Sequence, residues 1–321
     1  MRFFTACLLI TLLAAPVHAW NETGHMTVAY IAYQKLTPQT RGRVDTLLQR
    51  NPKYKTWIQN VPSEQRGLVA FLRASVWPDD IRSDPEYEQL DGTNNGNTPP
   101  NDKTASQNIG YKDHARHKYW HFINLPFPTL GQRGNNPPAV NAASQIVILR
   151  NALRNTSTSN AVEDIKSYDV TWLAHMVGDI HQPLHATARF TKLHPRGDTG
   201  GNVVIFCKSP CQQPENLHSY WDGLLGMDAS LASIKQFGDL LLKQAPPTAA
   251  AIADIMTWAQ ESLALAKQHV YRPPISTGSD TAQPFSPRPD TAYESNAQGV
   301  AQRQVLMAGH RLANLLNSNL R

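Results

Sequence analysis

The chain has 321 residues, 17% of them charged, and a formal net charge of +5. That length can bury a large core, as one big domain or two small ones, and no stretch beyond residue 19 is long and apolar enough to cross a bilayer, which excludes a helical integral membrane protein. The positive charge is compatible with a polyanionic partner, but no block of Lys or Arg stands out to demand one.

Met1–Ala19 reads as a targeting segment. Arg2 gives the charged start, Phe3–Ala15 is almost wholly apolar, and Val17-His18-Ala19 has the small-residue pattern of a cleavage site. The apolar run is too short for a membrane span. The expected product is a soluble exported protein without a stable membrane anchor, secreted or periplasmic, beginning at Trp20. Cys7 leaves with the leader, so only Cys207 and Cys211 remain, in FCKSPCQ. In an exported protein that pair points to one small disulfide. A zinc site on the two thiolates is the alternative.

Thr23–Lys35 has helical spacing. A second helix runs to about Leu48, with Thr37 as cap and Pro38 at its first position. Ser63–Val76 reads as a third, capped by Ser63 and apolar at Leu68, Phe71, Leu72 and Val76. Pro78 is expected to end it and leave Asp79, Asp80 and Arg82 on the exit. Asp91–Tyr111 is a long polar loop, and HKYWHFIN (117–124) is an extended segment. Pro138–Asn155 and Asn160–His181 are helices. Ala186–Phe190 and Asn202–Phe206 are expected to form a small hairpin across RGDTGG. Leu217–Leu225 is a short helix, Ser230–Gln244 and Ala249–Tyr271 are amphipathic helices, Tyr271–Asp290 is a loop, and Tyr293–Asn317 closes the chain. There is no repeat and no linker between two cores. The expected fold is mainly α: one helical domain, residues 20–321, with a small β-hairpin and long loops.

The chemistry centres on Thr171–Ala186, TWLAHMVGDIHQPLHA. His175 and Asp179 are four apart, so on a helix they share one face. Pro183 stops that helix and His185 follows it. An imidazole and a carboxylate one turn apart can ligate one metal, and the second carboxylate oxygen can reach another. A core helix with a buried His–Asp pair is the other reading. Further donors lie elsewhere: His25 close behind Trp20 in WNETGH, Asp79 in WPDDIR, His121 in YWHFIN, and His218 with Asp222 in NLHSYWD, which repeats the His-x-x-x-Asp spacing. A free amine at Trp20 could chelate together with its own carbonyl oxygen. Imidazole and carboxylate without thiolate suit zinc.

Taken together, Trp20 with His25, WPDDIR, HFI, HMVGDIHQPLH, GGN, NLHSYWD and AGHRLANLLN resemble the S1/P1 nucleases, from Trp20 to near the C-terminus. The resemblance implies the helical fold shared with zinc phospholipase C, and a monomeric zinc-dependent endonuclease with 3′-nucleotidase activity. It would act on single-stranded DNA, RNA and nucleotides and leave 5′-phosphates. It further implies three zinc ions: one on Asp79, His121, His175 and Asp179; a second on Trp20, His25 and a shared Asp179; a third on His185, His218 and Asp222. Asp79 would orient the attacking water, and Arg82 would meet phosphate. Phe122 would stack a base, and Gly200 and Asn202 would contact substrate. Asn124 stands where several members have Asp, which leaves base preference open, because an amide donates as well as accepts. His114, His117 and His181 fall outside the ligand pattern and read as rim or supporting residues. The rivals are a zinc phospholipase C, disfavoured by Asp222 where the lipases carry Glu, and a zinc- or nucleic-acid-binding protein without turnover.

Overall fold

A computed structural model of the chain describes residues 20–87, 92–94, 96–206, 214–275 and 289–320. The leader and the pair Cys207 and Cys211 lie outside the described residues.

Local capping sets most helix starts. Asn21 accepts from the Gly24 N–H and opens α1 (Glu22–Lys35). Thr37 caps α2 (Pro38–Leu48), with Pro38 in the first turn. After the single turn α3 (Tyr54–Trp57), the third expected helix departs from its sequence reading. Ser63 does not cap it; Ser63–Gln65 is a 3-10 turn leading into α4 (Arg66–Ala74). Pro78 does not end a helix either. It sits in the first turn of α5 (Trp77–Asp80), where a missing N–H costs nothing, so Asp79 lies inside a helical turn.

HKYWHFIN is not extended. Lys118–Trp120 is a 3-10 turn entered through His117 at φ 44°, and β1 (Leu125–Pro128) starts only beyond Asn124 at φ 55°. The next helix, α6 (Ala142–Ala152), begins later than its proline implied, because Asn141 and Ser144 form a reciprocal capping box. α7 (Asn160–Asp179) is the axis of the fold. From Lys166 to Asp179 every residue is buried, so it is wrapped on all sides.

The expected hairpin does not form. β2 (Thr187–Phe190) instead pairs in parallel with β1, Leu125 opposite Thr187. Its pairing is chosen by the Ile123 and Leu125 N–H groups, which donate to the His185 and Ala186 carbonyls at 2.9 Å each. β3 (Ile205–Phe206) pairs antiparallel with β4 (Glu215–Asn216), because Asn202–Val204 is occupied in a turn.

Asn216 then caps α8 (Leu217–Asp222), and Ser230 caps α9 (Leu231–Leu242). The helix expected from Ala249 starts later, at α10 (Ile255–Leu265), on an Asp254 cap, and runs into a π turn, Ala266–Val270. α11 (Thr291–Asn319) closes the chain from its Asp290 cap.

α1 is held between α9 and α11 at close range. A Cβ on Gly238 would meet Tyr30 at 2.2 Å, and one on Gly309 would meet Ile31 at 2.4 Å. The larger apolar core packs Trp77 and Trp120 against Trp172 of α7. A smaller one gathers Leu184, Phe206, Trp221 and Tyr293. No helix among the described residues is long and apolar enough to cross a membrane.

Candidate metal centre

The site is assembled where α7 ends. His175 and Asp179 are wholly buried, one turn apart. His175 Nδ1 donates to the Ser75 carbonyl oxygen, just past α4, at 2.8 Å. A carbonyl only accepts, so the ring proton sits on Nδ1 and the Nε2 lone pair faces inward. That Nε2 lies 3.1 Å from Asp179 Oδ2, 2.8 Å from His121 Nδ1 and 3.8 Å from Asp79 Oδ1.

The same device recurs twice. His185 Nδ1 donates to the His121 carbonyl at 2.6 Å, and His218 Nδ1 donates to the Gly200 carbonyl at 2.7 Å. Their Nε2 atoms then face each other at 3.1 Å. Two lone pairs aimed at one another repel unless a cation lies between them. A bond from the far nitrogen to a carbonyl is how metal-ligating histidines are oriented. Asp222 brings Oδ2 to 3.6 Å from His218 Nε2.

The donors fall into three groups, each with its ligand atoms within 4.8 Å of one another: His25, His175 and Asp179; Asp79, His121 and His175; His185, His218 and Asp222. His175 belongs to two of them, because its ring stacks on His25 at 3.9 Å while its Nε2 faces His121. Neither ring nitrogen of the buried His25 has a hydrogen-bond partner, and neither does Asp179 Oδ1, 3.4 Å from His25 Nε2. Buried polar groups are almost always paired, so these orphaned atoms fit a bound cation. The donor set, imidazole and carboxylate without thiolate, fits zinc.

Protonation follows burial. Desolvation holds His25, His121 and His185 well below the ordinary imidazole value, and lowers His218 to about 4. Burial also lowers His175, but the adjacent Asp179 and Asp79 charges outweigh it and the net shift is upward. Burial raises Asp179 to about 6, against the pull of His175, and pushes Asp222 well up. Burial thus works against the charged form of Asp179 and Asp222 and of His25, His121, His185 and His218, and a bound dication would favour the carboxylate form.

Trp20 is buried, and its indole N–H donates to the Gly178 carbonyl at 3.1 Å, one residue before Asp179. The Asn21 N–H donates to the Asp222 carbonyl at 3.2 Å. The expected mature N-terminus is therefore pinned beside two of the acidic donors.

The expected substrate residues border this cluster. Arg82 Nη2 is 3.2 Å from Asp79 Oδ1. Phe122 follows His121 and is half-buried against the main core. Asn124 sits at φ 55°, a conformation asparagine tolerates, so its identity has a backbone reason apart from any base. Gly200 and Asn202 lie in the loop that contacts His218.

Among the described residues, none of the remaining histidines joins the three groups. His114 is exposed and bonds the Glu86 carbonyl. His117 is not at the rim: it lies in the core, stacked on Trp120 at 3.7 Å, with Nε2 donating to Asp113 at 2.9 Å. His181 donates to the Val177 carbonyl and accepts from buried Arg311 at 2.9 Å. Sequence reasoning passed over Gln182. Its amide donates to Asp222 Oδ1 at 2.7 Å while its own oxygen accepts from the Leu184 N–H. The signal available in the sequence was its place between Asp179, His181 and His185.

A family profile described as S1/P1 Nuclease matches residues 20–321. The chain belongs to the S1/P1 nuclease family. It is 24% identical to Endonuclease 4 of Arabidopsis thaliana over 336 residues, covering 98% of this chain and 94% of that protein. Endonuclease 3 of the same plant is 24% identical over 331 residues, with 98% and 94% covered. Endonuclease 5 is 24% identical over 233 residues, 71% of this chain and 63% of that relative's length. As an S1/P1 nuclease the chain is a hydrolase of nucleic acid, and the lipase and non-catalytic readings give way.

Proposed function

We propose that residues 20–321 act as one exported, monomeric zinc-dependent domain. It cuts phosphodiester bonds of single-stranded DNA and RNA to leave 5′-phosphates, and it dephosphorylates 3′-nucleotides. The observation that carries this reading is the convergence of three His/Asp groups, within 4.8 Å each, beside Arg82. In it, Asp79, His121, His175 and Asp179 hold one zinc. Trp20, through its amine and carbonyl, holds a second with His25 and Asp179. His185, His218 and Asp222 hold the third. Bound zinc supplies the Lewis acidity that activates water and offsets charge on phosphate oxygens.

The chain's own residues do the rest. Asp79 orients the attacking water through a carboxylate oxygen, and Arg82, 3.2 Å away, steadies that carboxylate and brings a positive charge to the phosphate. Phe122 offers a stacking face that every base can use, so sequence preference is weak. A duplex hides those faces, which favours single strands. Asn202 and Gly200 meet the substrate from the turn that holds His218.

The test is zinc content and a substrate panel on the purified mature chain: single-stranded and duplex DNA, RNA, a 3′-nucleotide and phosphatidylcholine, each with and without chelator. Chelator-sensitive cleavage of single strands to 5′-phosphates is expected. A protein that holds three zincs and leaves single strands intact would falsify the reading.

A further inference from the structure

The turn after β2 has an unusual backbone. Thr199, Gly200 and Gly201 follow one another at φ 51°, 64° and 82°. A left-handed run that includes a β-branched residue persists only where its surroundings hold it. Gly200 lies so close to the chain above it that a Cβ would sit 2.5 Å from the Leu184 carbonyl oxygen. Its own carbonyl is the acceptor for His218 Nδ1, and the Asn202 amide donates back to the Thr199 carbonyl at 2.7 Å. One turn thus serves a metal-group histidine and an expected substrate contact.

Asp198 holds this turn from behind. It is 1% exposed. Its N–H donates to the Arg189 carbonyl, and its Oδ1 accepts the Arg189 N–H, both at 2.9 Å, which ties the turn to β2. The remaining bond comes from far away in sequence: the Tyr271 hydroxyl donates to Asp198 Oδ2 at 2.5 Å, across 73 residues. Burial, and then the Asp198 charge, keep that phenol well above its ordinary pKa, so it remains a donor.

We infer that the Asp198–Tyr271 bond is a positioning device for the nuclease site. It fixes the left-handed turn in the conformation that gives His218 its acceptor and aims Asn202 at the substrate. Neither residue touches the reacting groups; both act through Gly200 and Asn202. The Asn202 half of the inference rests on the proposed nuclease reading.

Tyr271→Phe isolates the bond, since the ring keeps its packing against Phe127 at 5.7 Å and under the Arg189 guanidinium at 5.1 Å. In the zinc-loaded mature protein, amide exchange across residues 198–204 should quicken by about ten-fold while the helices exchange as before. KM for a single-stranded oligonucleotide should rise by about ten-fold with kcat within about two-fold, and one zinc of three should pass faster to a competing chelator. Asp198→Ala should do more, and adding Tyr271→Phe to it should change nothing further. Asp198→Asn, whose amide keeps the Arg189 bond and can donate to the phenol, should restore near-parental values; it and Tyr271→Phe decide the matter if the alanine variant does not fold. Unchanged exchange in the turn, a uniform rise in exchange along the whole chain, or an unmoved KM overturns the inference. If the parent cleaves no nucleic acid, the nuclease reading fails instead, while exchange and zinc transfer still decide whether the clamp holds the turn.

Discussion

A carboxylate has two oxygens, and Asp179 turns them to different neighbours. Oδ2 faces His121 and His175 at 3.1 Å each, and Oδ1 faces His25 at 3.4 Å. Asp222 turns one oxygen to His218 and the other to Gln182, so it serves a single group. Asp179→Asn should therefore lower zinc occupancy of the two neighbouring groups, whereas Asp222→Asn should lose about one ion and leave that pair intact. Zinc counting by mass spectrometry reads this directly. Rates should fall in both, further for Asp179→Asn. Three retained zincs with near-normal phosphodiesterase rates in Asp179→Asn would mean that Asp179 bridges nothing. For the substrate, Phe122→Ala should weaken binding of a single strand by about 1–3 kcal/mol. Competition against a labelled oligonucleotide measures it, and unchanged affinity removes Phe122 from the substrate path. Asn124→Asp should alter relative rates among bases more than the overall rate, and an unaltered base profile would leave Asn124 with its backbone role alone.

At the scale of elements, α7 carries a carboxyl that the site does not use. Asp169 is wholly buried, and burial pushes its pKa well above the ordinary carboxylate range, with Asn108 pulling back. The unfolded carboxyl titrates near about 3.9. Since the folded value is higher, the folded chain binds more protons between the two, so this group's contribution to stability falls as pH rises through that window and stays unfavourable above it. Asp169→Asn cannot ionise. It should be more stable than the parent at pH 8 by roughly 1–3 kcal/mol, with the advantage fading as pH approaches 4. Urea midpoints of both proteins at the two pH values provide the comparison, and a difference that does not vary with pH refutes it. The helix starts at Thr37-Pro38 and Ser230 were legible because capping is local chemistry. The partner of β2 was not, since Leu125 and Thr187 meet through contacts that no short window contains. Pro78 misled for a related reason: the same ring that ends one helix is well placed in the first turn of the next, and only the bend after Ala74 decides between them.

Across the whole molecule, the candidate ligands tie the N-terminal helix to α5, the 3-10 turn before β1, α7 and α8. Ions that bind the folded chain and not the unfolded one stabilise it by mass action, about 2.7 kcal/mol for each site at a hundred-fold excess over its Kd. Stripping zinc with a chelator should therefore lower the thermal midpoint by several degrees or more, and restoring zinc should recover it; calorimetry that finds the same midpoint with and without chelator denies the ions any structural role. The candidate donors that the fold gathers were singled out in the sequence by their spacing and by resemblance to a known family. Two features were not: the double membership of His175, which depends on how His25 stacks on it, and the support of Asp222 by Gln182, which needs the chain to bend after α7.

β1 and β2 each begin just past a donor, His121 and His185, which lie 64 residues apart and belong to different groups. The bonds between the two segments are made by main chain or to main chain: His185 Nδ1 to the His121 carbonyl, then the Ile123 and Leu125 N–H groups to the His185 and Ala186 carbonyls. The segments that carry His121 and His185 are thus registered on each other by one side-chain bond and a parallel main-chain ladder just beyond it. In the proposed reading, that register sets the spacing a phosphate would have to span. Replacing His121 leaves these bonds in place, because only its carbonyl takes part, whereas replacing His185 removes one of them. The segment that leaves β2 after Phe190 is bound to the same frame, since Asp198 is tied back to Arg189 and Gly200 accepts from His218.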